Sequence, residues 1–317
     1  MKRGQIFKCI VCYSHKFKHY YILFLMNHLI FDGISVSILF NDLNDNYLRL
    51  KKNGKFTQRL EVYKNKIINA DELNYCAEQS KKNISTLKTD AVFNPEKCIL
   101  NNLIYLNINR EFTETLRFNL TKKFKANISD ILLAILGWTF SELNKSDCVC
   151  INTFNNGRDF QFDNLNILNV VGSLANKFPV IFDFNGINNL NDAVENAIIQ
   201  IKKIPEKGKN FGLYKYSRTL DTQQEIFNKF NNREITFNYL SSIYEFGKIV
   251  GFEKFAAPKL NHKNILSDVI LNIIANQYEN KLLIIWRFDD NIISEKSIKQ
   301  IINRFVYTFN ILILENL

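Results

Sequence analysis

Asn27-His28-Leu29-Ile30-Phe31-Asp32-Gly33 carries more of this chain's fold than any other seven residues. The run before it, Tyr20 to Met26, is almost wholly apolar and reads as a buried strand. After it, from Ile34 to about Leu50, apolar residues recur at helical spacing. The pattern predicts a strand, a turn and a helix, with His28 on the turn and Gly33 as the backbone pivot. An imidazole held on such a turn suits proton transfer or the orientation of a nucleophile, because it changes charge near neutral pH. It equally suits a hydrogen-bonded core position.

The 317 residues leave room for two modest domains or one large one. With 46% hydrophobic and 13% aromatic residues the chain can bury a sizeable core, which excludes a disordered protein. The net charge is +10, but its lysines are scattered (Lys51-Lys52, Lys81-Lys82, Lys122-Lys123, Lys202-Lys203) and form no block that would track a phosphate backbone. A nucleic-acid partner is therefore not expected. The charge reads as a solvated surface, with attraction of an acidic protein partner as a secondary use. Cys9 and Cys12 have CxxC spacing without a second pair, so no metal site is expected. All six cysteines (also Cys76, Cys98, Cys148 and Cys150) read as reduced packing residues. With no secretory segment and no run long enough to span a bilayer, a cytoplasmic location without membrane contact is expected.

Further elements follow from patterning. Gln5 to Tyr13 and Tyr20 to Asn27 read as a hairpin, and Lys51 to Lys55 as a charged loop. Leu60 to about Gln79 reads as helical. Ser80 to Pro95, irregular and lysine-rich, marks the expected boundary between residues 1–95 and 96–317. Strands are expected at Leu103–Ile108, Cys148–Phe154, Phe178–Phe182 and Ile235–Leu240, with a terminal hairpin over Asp268–Asn276 and Lys281–Asp289. Helices are expected over Glu111–Phe124, from a Ser129 or Asp130 cap to about Leu143, over Leu190–Ile204, and from Ser294 onward. Strands and helices alternate without a strict βαβ repeat, which indicates a mixed α/β fold.

Five segments, in order, carry a resemblance. Asn27 to Gly33 resembles the HHxxxDG motif, and Asn156-Gly157-Arg158-Asp159 an HGRE element. Val171 to Val180 resembles VGWFTxxFPV, Pro205 to Gly212 resembles PxxGxGYG, and Phe237-Asn238-Tyr239-Leu240 resembles FNYLG. Together they are similar to the condensation superfamily of nonribosomal peptide synthetases, which includes epimerization domains and chloramphenicol acetyltransferase-like enzymes. Read residue by residue, Gly157, Gly208 and Gly212 equally suit tight turns, and Phe237 and Tyr239 strand core.

The resemblance implies two chloramphenicol acetyltransferase-like lobes around a tunnel. Carrier-protein phosphopantetheine arms would enter it and meet at the second motif histidine, matched by His28; no cofactor of the chain's own is implied. Asp32 matches the structural aspartate of the motif, with Arg158 the expected salt-bridge partner. Asn27, Gly33, Gly157, Asn238 and Tyr239 match motif or tunnel positions. Asn27 replaces the first histidine, and Phe154 stands where epimerization domains carry a glutamate. The motif lies far nearer the start than in the family, so the chain is expected to hold one complete C-terminal lobe and part of an N-terminal one, leaving an open sheet edge and an uncovered apolar face. The implied function is that of a condensation/epimerization-type domain acting on carrier-tethered aminoacyl or peptidyl thioesters alongside other synthetase modules, amide formation being favoured over epimerization. A non-catalytic remnant or carrier-docking scaffold is the alternative, and an acyl-CoA-dependent acyltransferase a third reading.

Overall fold

A computed structural model describes residues 6–52, 70–94, 97–158, 169–216, 226–227, 230, 234–240, 267–278 and 280–317. Within these limits two compact units can be described. Residues 6–52, 156–158 and 169–175 belong to the first, and the remaining described residues to the second.

In the first unit, β1 (Phe7–Ser14) and β2 (His19–Met26) pair antiparallel from Phe7 opposite Met26 to Ser14 opposite His19. Alternation places Phe7, Cys9, Val11 and Tyr13 on one face with Tyr20, Ile22, Phe24 and Met26, so that face is apolar throughout. Helix α1 (Gly33–Lys51) covers only one end of it, where Phe24 meets Phe40 edge-on at 5.7 Å between ring centroids. The expectation of a buried strand at Tyr20–Met26 is thus corrected. Tyr20 is 74% exposed, and Leu23, Leu25 and Val11 are exposed too. Among the described residues of this unit, two strands and one helix do not cover both faces of the ribbon. Cys9 and Cys12 are exposed for the same reason, not packed.

The second unit is built on a six-stranded mixed sheet. Its strands are β3 (Asn102–Ile108), β4 (Cys148–Asn155), β5 (Asn176–Asp183), β6 (Ile235–Leu240), β7 (Leu271–Tyr278) and β8 (Lys281–Phe288). The order across the sheet is β3-β8-β7-β6-β4-β5. Pairing is parallel between β6 and both β7 and β4, and antiparallel elsewhere. β4 and β6 pair only at Asn152 and Thr236, where the Asn152 amide adds a bond to the Ile235 carbonyl at 3.3 Å.

Helix α2 spans Ala70–Gln79. Arg110–Phe124 forms two α-helical pieces, α3 (Arg110–Thr115) and α4 (Thr121–Phe124), joined by a π turn at Leu116–Leu120. Helix α5 (Ile128–Asn144) is buried along nearly its whole length. A side chain at its Gly137 would meet the Phe182 ring at 2.6 Å, so glycine is what lets α5 lie directly on β5. The cap is Asn127, whose Oδ1 accepts from Asp130 N at 2.8 Å, and not Ser129 or Asp130 as expected. Asparagine in an extended conformation accepts a free N–H of the first turn from two or three residues earlier than either. Helices α6 (Leu190–Lys202), α7 (Phe211–Tyr216) and α8 (Glu295–Leu314) complete the unit. The apolar stripe of α8 (Ile298, Ile301, Ile302, Phe305, Phe309) is buried, with Trp286 of β8 edge-on to Phe305.

The compact units divide the chain elsewhere than at residue 95. Residues 70–94 pack with the second unit: Ser85 N donates to the Cys148 carbonyl at 2.9 Å, Leu87 is buried, and Asp90 N and Ala91 N both donate to the Ile292 carbonyl. A lysine-rich composition marks a solvated surface, and here that surface belongs to a segment tied down through its backbone. Residues 60–69 of the expected Leu60–Gln79 helix, residues 53–55 of the charged loop, Asp159 of the HGRE-like element and Glu279 of the last turn lie outside the described residues.

Candidate functional site

Asp32 is the centre of the first unit's polar chemistry. It ends the turn after β2 in an extended conformation (φ −126°, ψ −176°) and caps α1. Its Oδ1 accepts from Ser35 N at 2.9 Å, and Oδ2 accepts from Arg158 Nη1 at 2.6 Å and from Leu174 N at 3.1 Å. Asp32 and Arg158 are each 3% exposed. The Arg158 guanidinium also donates through Nη2 to the Val170 carbonyl at 2.9 Å and to Ser35 Oγ at 3.1 Å. Ser35 Oγ in turn accepts from Gly172 N at 3.0 Å. Its single proton goes to Asp32 Oδ1 at 2.8 Å or to the Gly172 carbonyl at 2.9 Å. Three separate stretches (32–35, 156–158 and 170–174) are thereby tied into one buried knot. Such a pair is tolerated away from water only because further hydrogen bonds meet both charges. Burial alone would push the Asp32 carboxyl up, but the hydrogen bonds from Arg158 and Ser35 outweigh it and hold the group below its usual range.

Gly157 makes the knot possible. Its φ of +67° is left-handed, and a Cβ there would stand 2.0 Å from the Leu174 carbonyl oxygen. The turn therefore lies directly against the backbone of Leu174, where only glycine fits. Gly157→Ala is expected to cost about 1–3 kcal/mol from the backbone conformation, with displacement of Leu174 added to it. Urea titration of parent and variant checks this, and equal midpoints would contradict the packing described.

The knot anchors the turn that bears His28. Asn27 Oδ1 accepts from Leu29 N at 3.0 Å, Asn27 N donates to the Ile6 carbonyl, and Ile30 N to the Asn27 carbonyl. Asn27 thus shapes the turn locally by an Asx-type bond. His28 is exposed and stacks on Phe31, ring centroids 5.1 Å apart. The expected pivot at Gly33 is corrected: Gly33 is the first helical residue, and the bend is made by the extended Asp32 before it.

Asn27, His28, Asp32, Gly33, Gly157 and Arg158 all lie in the first unit, whereas Phe154, Asn238 and Tyr239 lie in the second. Phe154 is near the end of β4, 38% exposed, opposite Lys177. Asn238 and Tyr239 are half-buried on β6, and burial pushes the Tyr239 hydroxyl up. Ser35, whose hydroxyl accepts from Arg158 and Gly172 N and donates its one proton to Asp32 or the Gly172 carbonyl, escaped the sequence reading. Its one signal was the place three residues after a capping aspartate. Among the described residues no three His, Cys, Asp or Glu side chains converge as a metal site, and no helix is long and apolar enough to cross a membrane.

Comparison with known proteins places the chain in a family. The chain belongs to the condensation-domain family, whose model matches residues 3–315. It is 27% identical over 331 residues to gramicidin S synthase 1 of Brevibacillus brevis, covering 94% of this chain and 29% of that protein. It is 30% identical over 233 residues to tyrocidine synthase 1 of Brevibacillus parabrevis, covering 69% of this chain and 21% of that one. It therefore spans under a third of the length of either relative. Among solved structures, the epimerization domain from the third module of tyrocidine synthetase B superposes with a TM-score of 0.73 at 20% identity, over 98% of this chain and 72% of that one. The X-domain from teicoplanin biosynthesis follows with a TM-score of 0.72 at 10% identity, over 99% and 73%. The mixed α/β fold expected from the sequence is the fold of these domains.

Proposed function

We propose that this chain is an amide-forming condensation-type domain, joining carrier-tethered aminoacyl or peptidyl groups within a nonribosomal peptide synthetase in the cytoplasm. The observation that carries this reading is the buried Asp32–Arg158–Ser35 knot beneath an exposed His28, in a chain of the condensation family. His28 would orient or accept a proton from the acceptor amine as its nitrogen attacks the donor thioester carbonyl. A C–N bond forms, the C–S bond breaks, and the proton passes to the leaving thiolate of the phosphopantetheine arm. The chain itself supplies positioning and proton handling. Its partners would be carrier-protein domains and neighbouring modules.

Epimerization is the less favoured chemistry. It needs a second acid/base group to return a proton to the opposite face of Cα, and a hydrocarbon ring stands at Phe154 instead. The exposed apolar ribbon β1–β2 supports a second reading, a carrier-docking scaffold without turnover.

One experiment separates the three. Carrier-bound L-aminoacyl donor and acceptor are incubated with the protein in deuterated water. Amide product without deuterium at Cα is expected. Deuterium at Cα with D-product would assign epimerization. Carrier binding without either product would assign the scaffold.

A further inference from the structure

Glu72, on α2, is 1% exposed, and both carboxyl oxygens accept from Asn210 N, at 3.2 and 3.1 Å. Among the described residues no lysine or arginine reaches ion-pair distance of it. The walls beside it are apolar: Phe178 and Pro179 of β5, Ile204, Phe211 and Phe230 close a cavity of about 10 Å³. A carboxylate in such a place is costly, because apolar walls do not replace its lost hydration.

The segment it holds is itself strained. Glu206 (φ 47°) and Lys207 (φ 51°) are consecutive left-handed residues without glycine's freedom, followed by Gly208 at φ 70°. Such conformations persist only where surrounding contacts hold them. Three side chains do so. Asn155 Nδ2 donates to the Lys207 carbonyl at 2.9 Å, Asn176 Nδ2 donates to the Gly208 carbonyl, and Glu72 receives the Asn210 amide. Of the three clamps only Glu72 can change its charge.

We propose that Glu72 is a positioning residue that latches Pro205–Phe211 in its strained form, and that the latch loosens as Glu72 gives up its proton. The sign follows from solvation. Opening the segment returns the carboxylate to water, so ionisation favours the open form. Burial outweighs the hydrogen bonds from Asn210 and Phe211, which favour the carboxylate, and places the folded group at about 7, well above its ordinary value. The charged and titratable groups facing it act less strongly. Glu206 raises it further, Lys209 lies near enough to act on it, and Tyr75 and Cys76 sit on its own helix. None of the wall residues of β5 titrates. The latch acts on the folded unit and does not depend on which reaction the domain performs.

Amide hydrogen exchange, corrected for intrinsic rates, reads the latch directly. The opening equilibrium at the Asn210 and Phe211 amides is expected to rise by about tenfold between pH 6 and pH 8, as a group titrating near 7 when closed and near its ordinary value when open requires. Glu72→Gln cannot ionise and is expected to show less than about a twofold change, while amides of β7 and β8 serve as the internal reference. A flat profile in the parent, or the same slope in Glu72→Gln, would overturn the proposal. If the variant fails to fold, the parent decides alone: a rise shared by the reference amides would mean general loosening and no latch.

Discussion

Arg158→Met is expected to destabilise the first unit by about 3–5 kcal/mol at neutral pH, the cost of leaving one half of a buried ion pair behind. The carboxylate of Asp32 would keep its bonds from Ser35 and Leu174 but lose its counter-charge, and the Val170 and Ser35 acceptors would lose their donor. Asp32→Asn keeps the shape and leaves the guanidinium as the unpaired charge, so a similar loss is expected. The double variant Asp32→Asn/Arg158→Met should recover part of it, since both charges are then gone. Urea unfolding read by amide exchange in α1 measures the cycle. A coupling energy near zero would show that the two charges do not act as a pair.

The same pair sets an acid dependence. Asp32 titrates below its unfolded value, so its contribution is fully present above the ordinary carboxylate range. It is lost as pH falls from about 4 through the lowered folded pKa. In Asp32→Asn this part of the acid profile should vanish, leaving a variant that is weaker at pH 7 and closer to the parent near pH 2.

His28→Ala is expected to lower amide formation by about 10²–10⁴-fold, the usual worth of a positioned acid/base group. Its stability should stay within about 0.5 kcal/mol of the parent, because the ring is exposed and leaves no cavity. The two variants thus separate chemistry from scaffold: one removes turnover from a folded domain, the other unfolds the element that presents the histidine. Stopped single-turnover assays with carrier-bound substrates, alongside the same urea titration, give both numbers. Parent-like turnover in His28→Ala would remove the histidine from the mechanism.

Much of the architecture was legible in local patterning. The hairpin, α1, β4, β6, α6 and the capped α8 were all read from period and turn residues, because each is specified by residues near in sequence. The α5 cap was misplaced by two or three residues since Asn127, Ser129 and Asp130 are all competent caps and only the backbone selects one. The extent of burial was not legible in local patterning, and only the resemblance implied an uncovered apolar face. Tyr20 to Met26 has the composition of a core strand, yet composition says what a strand can bury and not whether anything lies against it.

For the candidate site the division is sharper. The motif residues alone pointed to His28, Asp32 and Arg158, because residue types with that spacing carry a known arrangement. Ser35's place in the knot, the close packing of Gly157 on Leu174 and the grip of Glu72 on Asn210 join residues 137, 17 and 138 positions apart. No local pattern encodes such contacts, since each side chain alone is as well suited to solvent or to a cap. The sequence by itself determined the family and the order of most elements. Tertiary structure alone decided which polar groups lose their water together, and that loss makes Asp32 a held anion and Glu72 a carboxyl that keeps its proton to about neutral pH.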